Sequence, residues 1–317
     1  MTTDTLPSPE VVAWLMDQFG IRTGEIQVLP AGEANHAWRL GDDLVLRIPR
    51  NDGPLTNDLR KERSVIPIAR AAGVSTPEIV AFEEGLDRTG RPVMVLRRVA
   101  GADLERAGLA ETASRPIYRE VGRQIGRLHA ATGSGFSAPP GIPRDDGGDD
   151  PRSLLEPLVV AGALDGETAN WLRGRFDRLA PFVPDAPALV LTHGDVASRN
   201  ILVDPASDAF RALVDWGDAA IADPAMDFAK LPLAMLPATL AGYLGRTDDA
   251  SAGASAEFRA WQARAFRYQL HWAVAATGRH DPESSALRPP GPAMQRLMVI
   301  LRFLTATPDS RWRWLSQ

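Results

Sequence analysis

The chain has 317 residues, and 35 Lys+Arg against 40 Asp+Glu leave a formal net charge of −5, which excludes nucleic-acid binding through bulk charge. With 44% hydrophobic residues and length for about two domains of ~150 residues, a real core is expected, and disordered or fibrous architectures are excluded. Cysteine is absent, so disulfides, thiolate metal sites and a Cys nucleophile are excluded too; no signal pattern opens the chain and no apolar run reaches the ~18 residues of a membrane span, so a soluble, cytoplasmic protein is expected. Lys61 and Lys230 are the only lysines. In so arginine-rich a chain, a cation that other proteins supply as lysine is expected to stand as arginine.

Val11, Val12, Leu15, Met16 and Phe19 recur at helical spacing behind Ser8-Pro9, and Gly20 closes that helix. From Ile26 to Ile48 the text is strand-like: a turn at Ala31-Gly32-Glu33-Ala34-Asn35, a strand over 37–40, a tight Gly41-Asp42 turn and a strand over 44–48. In that last strand alternation sets Leu44, Leu46 and Ile48 on one face and Val45 and Arg47 on the other. A helix over about 57–72 is expected next, with Thr56 as N-cap and Gly73 as stop. Its inward stripe of Leu59, Glu62, Ile66 and Ala69 includes a carboxylate, and a half-buried carboxylate needs a cation.

Arg91 to Val99 reads as another strand and Ala100-Gly101-Ala102 as a connector, so a lobe boundary is placed between residues 99 and 100. Beyond it the helices lengthen. Ile117, Val121, Ile125 and Leu128 mark one buried stripe, and Phe258, Trp261, Ala265, Tyr268 and Trp272 another. The acidic stretch from Arg144 to Asp150 is expected to be solvated surface, and the Arg311-Trp312-Arg313-Trp314 tail to pack its indoles on its own domain.

The most informative stretch runs from His193-Gly194-Asp195 through Asn200 to Asp215-Trp216-Gly217. Apolar runs over 201–203 and 210–214 flank Asp204-Pro205-Ala206-Ser207-Asp208, a hairpin signature. Antiparallel pairing brings Asn200 and Asp215 to the same end of the ribbon. An amide oxygen beside a carboxylate is a hard-oxygen site suited to Mg²⁺, which takes few protein ligands and completes its shell with water and phosphate. Asp195 would overhang that site. Phosphoryl transfer needs little more than these parts: a carboxylate to orient the hydroxyl, a metal on the phosphates and a cation on the nucleotide. His193 and Asp227 are expected to anchor the loop, and Asp218 and Asp223 to line the acceptor side.

In His193-Gly194-Asp195, Asn200, Asp215-Trp216-Gly217 and Asp223-Pro224-Ala225-Met226-Asp227-Phe228-Ala229 the chain resembles the aminoglycoside and macrolide phosphotransferase family. The resemblance implies an α+β, two-lobed, protein-kinase-like fold: a small antiparallel-sheet N-lobe (1–99) that holds the nucleotide and a mostly helical C-lobe (100–317) with the catalytic loop and acceptor site. It further implies Asp195 as catalytic base, Asn200 and Asp215 as Mg²⁺ ligands, and the backbone from Arg97 to Val99 as the purine hinge. Gly32 sits where the family has its nucleotide-covering loop, Arg47 where it has its phosphate cation and Glu62 where it has the acid paired with that cation. Arg199 either meets the transferred phosphate or forms an ion pair that steadies the loop.

The expected activity is transfer of the γ-phosphate of ATP or GTP to a hydroxyl of an antibiotic-like small molecule, with no nucleic-acid or membrane partner. Rival readings are a metabolite kinase for a small alcohol or amino alcohol, and a nucleotide-binding regulator without catalysis. A metal-dependent hydrolase is disfavoured, because a His-rich second metal site is missing from the sequence. The acceptor, the purine and the oligomeric state are not encoded in any motif.

Overall fold

The structure, a computed structural model, describes residues 6–30, 34–50, 54–86, 89–145, 150–184, 186–246, 255–277, 292–305 and 312. Helix α1 (Pro9–Phe19) starts at Ser8, whose hydroxyl accepts from the Val11 amide, and ends at Gly20 in the left-handed region. Val11 and Leu15 are fully buried, but Met16 is 63% exposed. The helix therefore buries a narrower stripe than its apolar spacing suggests.

Strands β1 (Ile26–Val28), β2 (Asn35–Leu40), β3 (Leu44–Pro49), β4 (Ile79–Glu83) and β5 (Val93–Arg97) form an antiparallel five-stranded sheet in the order β1-β2-β3-β5-β4. Strand β4 escapes the sequence reading, although its Ile79-Val80-Ala81-Phe82 run behind Pro77 carries the signal. Leu46, Ile48, Val93 and Val95 bury against the α1 side, whereas Met94 and Leu96 face helix α2 (Pro54–Ala71) and join the larger core. Helix α2 begins at Pro54, earlier than expected, which places Thr56 inside its first turn rather than at its cap. Proline at the first helical position presets φ and loses no needed hydrogen bond. The expected stripe is buried throughout: Leu59, Glu62, Ile66 and Ala69.

After Gly101 the chain enters β6 (Ala102–Asp103), which pairs with β9 (Ile201–Val203), and β9 pairs with β10 (Phe210–Leu213). A second small sheet joins β7 (Arg144–Asp145), β8 (Val190–Thr192) and β11 (Ala220–Ala222). Part of the acidic stretch is thus a strand, with Arg144 and Asp145 pairing parallel to Ile221 and Ala222; residues 146–149 lie outside the described residues.

The remainder is helical: α3 (Leu104–Ala107), α4 (Glu111–Ala131), α5 (Leu155–Val160), α6 (Gly166–Leu179), α7 (Leu236–Tyr243), α8 (Ala256–Thr277) and α9 (Pro292–Thr305). Helices α4 and α7 meet backbone to backbone, because a Cβ on Gly122 would stand 1.9 Å from the Thr239 carbonyl oxygen and one on Gly242 1.9 Å from that of Arg119. Trp312 is buried and meets Phe266 and Phe303 edge-on. The other residues of the Trp-rich tail lie outside the described residues. Among the described residues no helix is long and apolar enough to cross a membrane.

Candidate active site

The alternation of β3 decides which side chains reach the cleft. Leu46 and Ile48 point into the core while Val45 and Arg47 line a cavity of about 370 Å³, together with Glu62, Leu96, Arg97, Val99, Asn200 and Asp215. Arg47 Nη1 donates to Glu62 Oε2 at 2.5 Å, and Arg47 Nη2 donates to Asp215 Oδ1 at 3.3 Å. One guanidinium fork thus ties the sheet, α2 and the segment after β10. Burial, reinforced by the neighbouring Asp215 charge and opposed by Arg47, lifts the Glu62 carboxyl to about 7. Arg47 is itself held above its usual value, since the two carboxylates outweigh its burial. It stays charged. Gly32 lies outside the described residues.

On the hinge side the Arg97 amide donates to the Glu78 carbonyl and the Arg98 amide to the Asp43 carbonyl. Both are committed within the sheet region.

The hairpin delivers the lower wall. Leu213 pairs with Ile201, and the Val214 amide donates to the Asn200 carbonyl, so Asn200 and Asp215 reach the same end and the same cavity. Asp215 has φ 68°, a left-handed conformation uncommon for a residue with a side chain. Such strain persists only where the surroundings over-determine it. Among the described residues no cluster of three or more His, Cys, Asp or Glu has metal-binding geometry. The donors here are one amide and one carboxylate oxygen set, which suits Mg²⁺ and not a soft or imidazole-loving metal.

Asp195 is buried and bonded to Asn200, which lines this cavity. Its Oδ2 accepts from Asn200 Nδ2 at 2.7 Å and Arg199 Nη2 at 2.6 Å, and its main-chain oxygen accepts from Asn200 Nδ2 at 2.9 Å. Arg199 therefore forms the ion pair within the loop, with its side chain otherwise largely exposed.

Beneath the loop lies a buried polar anchor. Asp227 accepts from the His193 and Gly194 amides and meets His129 Nε2 at 2.9 Å. Burial works against its charge, but the bonds from His129 and the Gly194 amide win and hold the carboxyl below its usual value. His193 accepts from the Asp195 amide at Nδ1 and faces the Val214 carbonyl with Nε2, which sets the neutral tautomer with the proton on Nε2. Burial lowers its basicity, so it stays uncharged near neutrality. Gly194, at φ 80°, passes so close to Asp218 that a Cβ would stand 2.1 Å from that carbonyl oxygen.

Asp227→Asn is expected to cost about 1–3 kcal/mol of unfolding free energy, the range for leaving a buried hydrogen-bonding group unsatisfied, measured by urea titration. Because Asp227 sits below its unfolded value of ~3.9, its contribution is present above that pH and is lost as pH falls through the folded value.

A second cavity, of about 400 Å³, opens on the other side of the loop and is lined by Thr192, Gly194, Asp218, Lys230, Tyr268 and Trp272 among others. Asp218 lines it as expected. Asp223 does not: it is buried against Arg264 and Tyr268 and caps the turn at Ala225, a purely internal set of partners. On α8 the cavity is lined by Tyr268, His271, Trp272 and Ala275, while Phe258 and Phe266 are core. Two residues escape the sequence reading. His129 ends an ordinary amphipathic helix, and Lys230 follows the Asp227-Phe228-Ala229 run with no spacing signal; only their being rare residue types marks them.

A small antiparallel sheet over a helical lobe, with one carboxylate tied to a lining residue of each of two cavities, defines a two-lobed, kinase-like fold. The chain belongs to the phosphotransferase enzyme family, whose model matches residues 25–273. An aminoglycoside 2'-phosphotransferase-IIIa variant solved with GDP superposes with a TM-score of 0.66 at 20% identity, over 93% of this chain and 98% of that one. The macrolide 2'-phosphotransferase MphH from Brachybacterium faecium gives 0.56 at 20% identity, over 85% and 90%. A choline/ethanolamine kinase family protein from Mesorhizobium loti gives 0.60 at 22% identity, over 97% and 98%. These likenesses carry the fold.

Proposed function

We propose that this phosphotransferase moves the γ-phosphate of ATP or GTP to a hydroxyl of an antibiotic-type small molecule, an aminoglycoside or a macrolide. The single observation behind the reading is that Asp195 is bonded to Asn200, which with Asp215 lines one cavity, and paired with Lys230, which with Asp218 lines the other. In this reading residues 1–99 hold the nucleotide and 100–317 carry the loop and acceptor site. Asp195 orients the acceptor hydroxyl and takes its proton. Arg47, tied by Glu62, meets the phosphates. The purine meets the backbone from Arg97 to Val99, and because the Arg97 and Arg98 amides are committed, Val99 supplies the donating amide.

Asn200 and Asp215 would hold Mg²⁺, which when bound neutralises phosphate charge. Arg199 fixes the Asp195 carboxylate. The GDP in the aminoglycoside 2'-phosphotransferase-IIIa structure supports a nucleoside triphosphate donor, and the likeness to both antibiotic kinases and a choline/ethanolamine kinase family protein keeps a small amino alcohol as the second acceptor class.

The test is a panel of kanamycin, streptomycin, erythromycin, choline and ethanolamine, each with Mg-ATP and Mg-GTP, followed by diphosphate release and the mass of the phosphorylated product. Transfer to one antibiotic and not to the amino alcohols is the expected result. The reverse pattern would establish the metabolite kinase, and nucleotide binding with no transfer to any compound favours the regulator.

Arg47→Lys tests the phosphate cation. A single ammonium cannot span Glu62 and Asp215 as the guanidinium fork does, so the KM for nucleotide is expected to rise by roughly tenfold, the factor for about 1.4 kcal/mol of binding, while kcat changes little.

A further inference from the structure

Asp195 is gripped on both oxygens, and the grips differ in what else they touch. On Oδ2 stand Arg199 and Asn200; on Oδ1 stands Lys230, with Nζ at 2.9 Å. Arg199 lines neither cavity and its side chain is 57% exposed, whereas Lys230 is 16% exposed and lines the acceptor-side cavity. Lys230 Nζ also donates to Asp218 Oδ2 at 2.9 Å and lies 5.8 Å from the centre of the Trp272 ring.

The residue type itself is informative. The chain carries arginine at every other basic position except Lys61, and both lysines line this one cavity. A compact ammonium has three donors spread in space, where a guanidinium presents a flat fork. One of those donors meets Asp218, Asp195 Oδ1 stands at ion-pair distance without accepting a hydrogen bond, and the rest are left for a group that enters between the cavities.

Resting on the phosphotransferase reading above, we propose that Lys230 is a further catalytic residue, whose ammonium meets the phosphoryl group in transfer, and that Asp218 is the positioning residue that holds it there. In the step, the acceptor oxygen bonds to the γ-phosphorus as the bond from that phosphorus to the bridging oxygen breaks. The electron pair leaves on the nucleoside diphosphate, and the acceptor proton passes to Asp195 Oδ1, the oxygen that accepts no hydrogen bond. Charge spread over the transferring oxygens falls beside Lys230, which is where a fixed cation lowers the barrier. Arg199, fastened to the far oxygen, stands outside both cavities.

The test needs no acceptor. Affinity for ADP and for GDP is measured with Mg²⁺, with and without aluminium fluoride, a mimic of the phosphoryl group in flight. The wild type is expected to bind more tightly when the fluoride is present. Lys230→Met is expected to keep its affinity for diphosphate, which also shows that it is folded, and to lose ~10²-fold of the fluoride-dependent tightening, the usual loss for one donor to a transition-state oxyanion. Arg199→Met is expected to lose far less. Asp218→Asn, at an exposed side chain with little effect on folding, is expected to lose about tenfold, between the two.

Lys230→Met tightening like the wild type, or Arg199→Met losing as much as it does, would overturn the role of Lys230. A wild type that binds diphosphate without tightening would overturn it as well. A wild type that binds no nucleotide would instead sink the phosphotransferase reading, so the two failures are distinguishable.

Discussion

Asp195→Ala is expected to lower turnover by ~10²–10⁴-fold, the usual contribution of a positioned general base, and to leave the affinity for Mg-nucleotide nearly unchanged. The first half follows from the ties of the carboxylate to Asn200 on one cavity and Lys230 on the other. The second follows from the way Asn200 is held. Its Nδ2 bonds both Asp195 Oδ2 and the Asp195 main-chain oxygen, and the second bond survives any change of side chain. Asn200 thus keeps its orientation toward the nucleotide cavity when the carboxylate is gone. Steady-state rates and a nucleotide titration on the same preparation check both halves. A drop in kcat accompanied by an equal loss of nucleotide affinity would mean that Asp195 holds the nucleotide rather than the acceptor.

Much of this arrangement is legible in the sequence because it is carried by period and pairing. The two-residue alternation of β3 puts Arg47 opposite Leu46 and Ile48, and the helical stripe of α2 puts Glu62 among Leu59, Ile66 and Ala69; together they imply the ion pair that forms. The hairpin turn likewise implies that Asn200 and Asp215 meet at one end. The elements that escape reading are short runs that become strands only by pairing. Strand β4 is a short run that becomes a strand by pairing with β5, the next strand, and β7 is two residues that pair with β11 77 positions further on.

The anchor beneath the loop depends on His129, which meets Asp227 only after α4 packs onto α7 and the Asp227 turn. Lys230 shows the same limit. Its neighbours in sequence are apolar, and its role comes from Asp195 and Asp218, brought to it by the fold. Asp223 errs the other way. An acid close to the motif suggests the acceptor wall, but Arg264 and Tyr268 arrive from α8 and absorb both of its oxygens.

Asp215→Asn is expected to abolish Mg²⁺-dependent nucleotide binding while the fold survives. Asparagine is the fitting substitute, because Asp215 sits at φ 68° and Asn is among the side-chain residues that tolerate this region. Alanine would add backbone strain to the loss of the carboxylate and blur the result. The amide keeps an oxygen that can accept from Arg47 Nη2, so the tie between β3 and the hairpin end need not fail. What disappears is a full negative charge beside Asn200 in the nucleotide cavity. A neutral pair of amides there has little hold on a divalent ion, whose affinity depends on the charge of its ligands.

Removing the Asp215 charge also relieves one of the two influences that lift Glu62, so its carboxyl is expected to fall from about 7 toward the usual range and its pair with Arg47 to tighten. Thermal stability without nucleotide is then expected to match or exceed the wild type, while the rise in Tm that Mg-nucleotide gives the wild type vanishes. A differential scanning measurement with Mg²⁺ alone, nucleotide alone and both together separates these effects. If the variant still gains stability from the combination beyond nucleotide alone, the divalent ion is held elsewhere and Asp215 serves only to orient Arg47.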